Sequence, residues 1–455
     1  MGLNVITDLG ERLNNVQLRT EMNQWSRNVP TRSLIFCLCT NTLGSLIGYL
    51  ASLENKVVPV MLDASKDEAL MKNLFHLYKP NYVWAPTNSK AIIGTPIYTA
   101  HGYGLYTYSN EDAHLNEDLA LLLTTSGSTG SPKLVRLSYE NIWSNAESIA
   151  EYLNIDENER PITSLPMYYS YGISVINSHY RKNATILLTD KPVIQKDFWS
   201  FCKEQKATSI AGVPFTYEML RRLRIFKMDL PSLKTMIQAG GKLNGKLVAE
   251  YVENCEQSGR EFIVMYGQTE ASPRMSYLPW QYAKSKPSSM GIAIPGGKFR
   301  LLDAQDQDIS EADADGELIY SGPNVCLGYA ECREDFQKGD ENHGILHTGD
   351  VARRDTDGFY YITGRMKRFV KLYGNRVNLD ATEQLLKAIT IDVACVGVDD
   401  KLTAFITDDS KVVDIKQLLM KKTGINARAF DVRVIDNIPT KSSGKLDYQA
   451  LQAIL

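Results

Sequence analysis

Residues Leu121–Lys133 read LLLTTSGSTGSPK, and the reading of this stretch decides how the rest of the chain is understood. An apolar run stops at Thr124-Thr125 and gives way to hydroxyls and glycines, closed by Pro132 and Lys133. The pattern predicts a buried strand that feeds a loop rich in backbone N–H groups and hydroxyl donors, with one fixed cation at its end. Such a loop is a cradle for polyphosphate: glycines let the backbone approach, hydroxyls and amides donate, and the lysine neutralises. It is not a Walker A loop, because Pro132 stands where the last glycine before the lysine is required. A plain Ser/Gly linker is the competing reading, and the uncharged apolar run directly ahead weighs against it.

At 455 residues the chain exceeds what a single hydrophobic core accommodates, so two or more domains are expected. A hydrophobic share of 44% and a charged share of 23% belong to an ordinary globular protein. The net charge of −3 gives no reason to expect nucleic acid or an anionic membrane as partner. Seven cysteines without a CxxC pair fit a reducing compartment better than a disulfide framework. Cys37 and Cys39 share one face of a core strand, where free thiols pack as small hydrophobes. The best apolar stretch, Leu43–Leu53, is too short for a membrane span and ends at Glu54. A cytoplasmic protein is expected.

Residues 33–86 alternate strand and helix signals: strand Leu34–Cys39, helix Leu43–Leu53, strand Val57–Leu62, helix Lys66–Tyr78 and strand Tyr82–Ala85. Such alternation predicts a parallel sheet with crossover helices. The pattern resumes around Ala184–Thr189, Ser209–Val213 and Phe262–Tyr266. From Met290 to Tyr361, short apolar segments (Phe299–Leu302, Glu317–Tyr320, Phe359–Ile362) are separated by Gly, Asp and Pro, which predicts a small antiparallel barrel or sheet. After Arg365 the order reads β-α-β-β-α-β, from Val370–Leu372 to Val432–Ile435. The fold class is therefore α/β: a large amino-terminal domain, residues 1–365, and a small α+β lid, residues 366–455.

Four further motifs follow the loop in fixed order: Tyr266-Gly267-Gln268-Thr269-Glu270, His347-Thr348-Gly349-Asp350, Gly364-Arg365, and Pro439-Thr440-Lys441-Ser442-Ser443-Gly444-Lys445. The set resembles the adenylate-forming superfamily of acyl-CoA synthetases, carrier-protein adenylation domains and luciferases, over nearly the whole chain. The resemblance implies two half-reactions. A carboxylate displaces pyrophosphate from ATP to give an acyl-adenylate; a thiol, from CoA or a carrier-protein phosphopantetheine, then takes the acyl group. Both steps pass through anionic states, so cations and donors are needed where charge develops.

The resemblance also implies roles. Thr125, Ser126, Gly127, Ser128, Thr129, Gly130 and Lys133 hold the β- and γ-phosphates, although Leu134 replaces the glycine common after the lysine. Tyr266, followed by Gly267, stacks on adenine, and Gly240 and Gly241 let the backbone approach the other face. Thr269 and Glu270 follow on a tight turn, with Glu270, and Thr129 from the loop, as Mg²⁺ ligands; for a lone Thr-Glu, a helix cap would be the better reading. Asp350 accepts the ribose hydroxyls. Arg365 is the ribose-binding arginine at the domain boundary, and Lys367 the hinge. Lys371 and Gly374 belong to the thiol-acceptor face. Lys445, on a lid loop, reaches the carboxylate and a phosphate oxygen together in the first half-reaction.

Tyr169 gates the acyl pocket where relatives often carry His, and Gly212, Gln238 and Met265 are its further walls, with core packing the alternative. No acid occurs from Met167 to Ser178, so a substrate ammonium would lack a partner and an α-amino acid is disfavoured. The expected substrate is a small carboxylic acid, with an acyl carrier protein as the alternative acceptor to CoA. An amino-acid adenylation protein is the rival enzyme; a non-catalytic nucleotide-binding scaffold is the rival of another class. His343 and His347 do not read as a metal pair, because Gly344 and the TGD turn interrupt any helix.

Overall fold

The computed structural model describes residues 4–455 apart from 66, 67, 91, 93, 125–132, 367, 374, 399 and 442–445. Strands Leu34–Cys39 and Val58–Asp63 are buried at every residue, which is why their sequences are continuous apolar runs rather than alternations. Leu34, Phe36 and Leu38 pack into one cluster, while Ile35, Cys37 and Cys39 pack into another on the opposite face. The two cysteines thus share a face as expected, and burial pushes the Cys39 thiol up to about 12, so it behaves as a hydrophobe.

These strands form the centre of an eight-stranded sheet, parallel from Leu119–Thr124 through Val58–Asp63 and Leu34–Cys39 to Tyr82–Pro86. Helices Leu43–Glu54 and Glu68–Tyr78 make the crossovers. A second sheet of nine strands runs parallel from Asn4–Thr7 across to Glu261–Gly267, then turns antiparallel at Arg274–Tyr277 and Ile292–Ala293. One apolar cluster joins Ile35 and Cys37 of the first sheet to Ile186 and Leu188 of the second. Helices Leu43–Glu54 and Ser170–Arg181 contribute Leu46, Ile47, Ile173 and Ile176 to it.

The expected antiparallel unit is a sheet of four strands in the order Lys298–Leu302, Gly316–Ser321, Ile345–Arg354, Tyr360–Arg365. Its register sets Asp350 directly opposite Arg365. Beyond it, Val393–Val398, Lys401–Ile406 and Phe430–Val434 make a three-stranded sheet with helices Leu379–Leu386 and Val412–Thr423. Two elements there depart from the expected β-α-β-β-α-β order. Strand Asn375–Asn378 pairs with Phe369–Leu372 in a separate hairpin, and a last helix spans Tyr448–Ala453. The sequence NRVN has a single apolar residue, too little to signal a strand. Among the described residues no helix is long and apolar enough to cross a membrane.

Leu134 is the first residue of strand Leu134–Ser138, which pairs antiparallel with Leu119–Thr124. Arg136 concealed this strand by interrupting its apolar run. The guanidinium is fully buried and donates to the carbonyl oxygens of Leu327 (3.0 Å), Tyr329 (3.1 Å), Lys338 (2.5 Å) and Gly339 (3.2 Å), and to Glu341 Oε2 (2.5 Å). It therefore fixes segment 327–341 against strand Leu134–Ser138. Replacing Arg136 with Met is predicted to lower the unfolding free energy by about 3–5 kcal/mol, because buried acceptors lose their donor. Urea denaturation of both proteins checks this, and a loss below about 1 kcal/mol would refute the clamp.

Candidate active site

Strand Glu261–Gly267 is the last parallel strand of its sheet, and its carboxyl end delivers Met265, Tyr266 and Gln268 to one place. Tyr266 Oη donates to Asp350 Oδ2 at 2.5 Å, and Gln268 Nε2 donates to the same oxygen at 2.9 Å and to the Thr348 carbonyl at 2.9 Å. Arg365 Nε donates to Asp350 Oδ1 at 2.8 Å. Asp350 is only 2% exposed, whereas the Arg365 side chain is 59% exposed and reaches in from solvent. Burial, and after it the neighbouring Asp350 charge, push the Tyr266 phenol well up, so it remains a neutral donor. A carboxylate has about four lone-pair sites. Three are taken, so accepting two further hydroxyls, as expected of it, would need one of the three donors to move aside.

Thr269 and Glu270 lie in the short 3₁₀ turn Thr269–Ala271. The Thr269 hydroxyl meets Ser170 Oγ at 2.9 Å, at the first turn of helix Ser170–Arg181. Glu270 Oε1 accepts from Tyr329 Oη at 2.7 Å, and the Glu270 carbonyl accepts from the Cys326 N–H at 2.8 Å. Lys133 Nζ pairs with Glu331 at 2.5 Å and stands 5.9 Å from the Tyr329 ring centroid. Tyr329 thus bridges the lysine that closes the loop to the acid after Tyr-Gly-Gln. Sequence reasoning missed both Tyr329 and Glu331; the Gly328-Tyr329 pair was the only local signal. A hydroxyl and a carboxylate side by side are hard oxygen donors, suited to Mg²⁺ held jointly with phosphates.

Tyr169 precedes helix Ser170–Arg181 as its N-cap and meets Tyr171 edge-on at 6.2 Å. Burial pushes its phenol up, so it stays neutral. Gly240 has φ +81°, and a Cβ there would stand 2.7 Å from Tyr169 Oη, so glycine is required on both counts. Met265 accepts at sulfur from Tyr152 Oη at 2.9 Å and from Arg274 Nη1 at 3.1 Å. The other two residues expected at the wall make packing contacts. Gln238 Nε2 donates to the Gly241 carbonyl at 2.8 Å and props up the Ala239–Gly241 turn. At Gly212 a Cβ would meet Thr216 Cγ2 at 2.8 Å, so the glycine makes room for helix Pro214–Arg222.

Thr125, Ser126, Gly127, Ser128, Thr129, Gly130, Lys367, Gly374 and Lys445 lie outside the described residues, as does the Lys371 side chain. His347 lies in strand Ile345–Arg354 and His343 in the turn before it, at φ +49°. A separate cleft of about 950 Å³ opens at the carboxyl ends of strands from both sheets, lined by Asn41, Asp63, His101, Pro166, Tyr168 and Asp190 among others. It reaches the segment before helix Ser170–Arg181 through Pro166 and Tyr168 without including Tyr266, Thr269 or Asp350.

Residues 28–330 match the AMP-binding enzyme family, and the chain belongs to that family. Over 354 residues it is 26% identical to feruloyl-CoA synthase of Amycolatopsis sp, covering 72% of this chain and 68% of that one. It is 29% identical over 296 residues to 2-succinylbenzoate–CoA ligase of Bacillus cytotoxicus, covering 64% of this chain and 59% of the relative. Among solved structures, o-succinylbenzoate CoA synthetase from Bacillus subtilis, in complex with its acyl-adenylate intermediate, superposes with TM-score 0.78 at 19% identity. That match covers 97% of this chain and 93% of the other. The anthranilate CoA ligase AuaEII, in complex with anthranoyl-AMP, gives TM-score 0.77 at 18% identity, covering 99% and 94%. At these identities the structural likeness establishes the fold.

On the same helix as Ser170, His179 is buried and its Nδ1 lies 2.7 Å from the Val175 carbonyl. Burial, and more weakly the Arg274 charge, drop its pKa from 6.5 to about 4, against the raising effect of the Val175 carbonyl. A depressed folded-state pKa means stability that is present above pH 6.5 and lost as pH falls towards 4, when the unfolded chain takes up a proton that the folded one refuses. The loss is about 3 kcal/mol. His179→Gln should therefore flatten the stability profile between pH 6.5 and 4 relative to wild type. Parallel profiles in urea denaturation across that range would contradict the assignment.

Proposed function

We propose that this chain is an AMP-forming acid–thiol ligase. It joins a carboxylic acid to the α-phosphate of ATP with release of pyrophosphate, then passes the acyl group to a thiol, CoA or a carrier-protein phosphopantetheine. The carrying observation is the convergence of Tyr266, Gln268 and Arg365 on Asp350, one turn away from Thr269 and Glu270. Family membership and relatives named as CoA synthases and ligases support CoA as the acceptor.

In this reading Asp350 accepts from the ribose, Tyr266 lays its ring on adenine beside the Gly240-Gly241 turn, and Arg365 closes over the sugar. Residues 125–130 donate to the β- and γ-phosphates, and Lys133 exchanges Glu331 for phosphate oxygen. Glu270, with Thr129 from the loop, would hold Mg²⁺, which would neutralise phosphate charge. Lys445 donates to the carboxylate and to the α-phosphate as negative charge builds there, and Lys371 and Gly374 line the approach of the thiol. Lys367 is the hinge between residues 1–365 and 366–455. That division is supported by a cluster of Val370, Leu386, Cys395, Ile415 and Phe430 that takes no described residue from before Val370. Amino-acid activation is the weaker alternative: the buried charge touching Met265 is positive, and it would repel a substrate ammonium.

ATP–pyrophosphate exchange across a panel of carboxylic acids tests the activity, and exchange with at least one acid is expected. Replacing Lys445 with Ala should lower the exchange rate by about 10²–10³ while ATP binding, followed by calorimetry, survives. Unchanged exchange in that variant would remove Lys445 from the chemistry; no exchange with any acid would refute the activity.

A further inference from the structure

Arg274 belongs to no motif, yet it brings a buried charge to the acyl wall. It begins strand Arg274–Tyr277 and is 2% exposed. Its carbonyl accepts from Asn145 Nδ2 at 2.8 Å and from Asn324 Nδ2 at 3.1 Å, so the backbone is held firmly. The side chain donates from Nε to Ser174 Oγ at 3.2 Å, and from Nη1 to Met265 Sδ at 3.1 Å and Tyr152 Oη at 3.4 Å. The guanidinium carbon stands 4.9 Å from the Tyr171 ring centroid. Ser174 spends its own proton on the Tyr171 carbonyl at 2.7 Å, which leaves its oxygen free to accept. Around this group lie Val175, Ala211 and Ile263, with Tyr152 and Tyr277 stacked at 4.3 Å.

Three features separate this cation from a structural one. First, no described carboxylate lies within 4.0 Å of it, and its partners are a thioether, a phenol and an alcohol, which compensate a buried charge poorly. Second, a guanidinium has five N–H groups. Among the described residues none accepts from Nη2, so two donors stand unused. Third, its position is set relative to the reacting end. Ser170, which touches Thr269, and Ser174, which touches Arg274, are four residues apart on helix Ser170–Arg181. The cation therefore lies roughly one helical turn, about 6 Å along the helix, from the place where Ser170 meets Thr269.

We propose that Arg274 is a specificity-determining residue that pairs with a second carboxylate on the substrate. The substrate class is then a short dicarboxylic acid, one carboxylate entering the adenylation reaction and the other accepting from Nη2. The proposal rests on the acid–thiol ligase reading and deepens it. Sequence order alone hid the residue, since PRMSY reads as a polar break after the Tyr-Gly-Gln-Thr-Glu turn.

The test is pyrophosphate exchange with dicarboxylic acids of four to seven carbons, each compared with its monomethyl ester and with the monocarboxylic acid of equal length. Wild type should favour the best diacid over its monoester by roughly 10²-fold or more in kcat/KM, because a site built to bind a polar group rejects the analogue lacking it. Arg274→Met should collapse that ratio to within a few fold, mainly through KM, while exchange with monocarboxylic acids continues. Arg274→Lys, which keeps the charge, should retain part of the preference and remains informative should the Met variant fail to fold. A wild-type preference for monocarboxylic acids, or an unchanged ratio in a folded Arg274→Met protein, would overturn the proposal and leave the ligase reading standing. Absence of exchange with every acid would instead bring down the ligase reading, and this inference with it.

Discussion

One buried carboxylate organises the site. Asp350 takes hydrogen bonds from Tyr266, Gln268 and Arg365, residues drawn from the last parallel strand of one sheet and from the neighbouring strand of another. None of these contacts is local in sequence except the strand pairing that opposes Asp350 to Arg365. Leaving such a charge buried without its donors costs about 3–5 kcal/mol, so the three segments hold one another in place. Arg365 is also the last residue of its strand, and the Met366 N–H donates to the Gly349 carbonyl at 2.8 Å. The strand pairing that sets Asp350 opposite Arg365 therefore also leads directly into the start of the carboxyl-terminal region.

Two arginines at strand positions show how the fold handles buried cations. Arg136 is surrounded by carbonyl oxygens and reaches the Glu341 carboxylate, so its charge is compensated by the protein itself. Arg274 has a thioether, a phenol, a serine hydroxyl and an aromatic face. The first arrangement is a clamp; the second leaves the cation without a carboxylate among the described residues. The difference lies in which acceptors the fold provides, not in depth of burial.

Much of the architecture was legible because both faces of the central strands are covered, which writes an unbroken apolar run: Leu34–Cys39 comes out with the bounds the pattern predicts. Strand Leu134–Ser138 escaped because a satisfied arginine looks like a break in the run, and Asn375–Asn378 because hairpin pairing with a single neighbour needs little apolar surface. At the site, Tyr266, Thr269, Glu270, Asp350 and Arg365 were readable through short motifs in order, and the structure gathers them. Tyr329, Glu331 and Arg274 were not, since each acts through a partner distant in sequence: Glu270, Lys133 and Met265. Gly212 and Gln238, expected at the wall, also have packing roles: the first leaves room for a helix and the second holds the glycine turn.

The account turns on whether that carboxylate holds a nucleotide. Calorimetric titration of ATP into wild type and into Asp350→Asn, a change that keeps shape and removes charge, asks this directly. Saturable binding to wild type, weakened by about 10–100-fold in the variant, is the predicted result, because charge-assisted hydrogen bonds are lost. Equal affinity in a folded Asp350→Asn protein, or no binding of ATP to wild type, would contradict it.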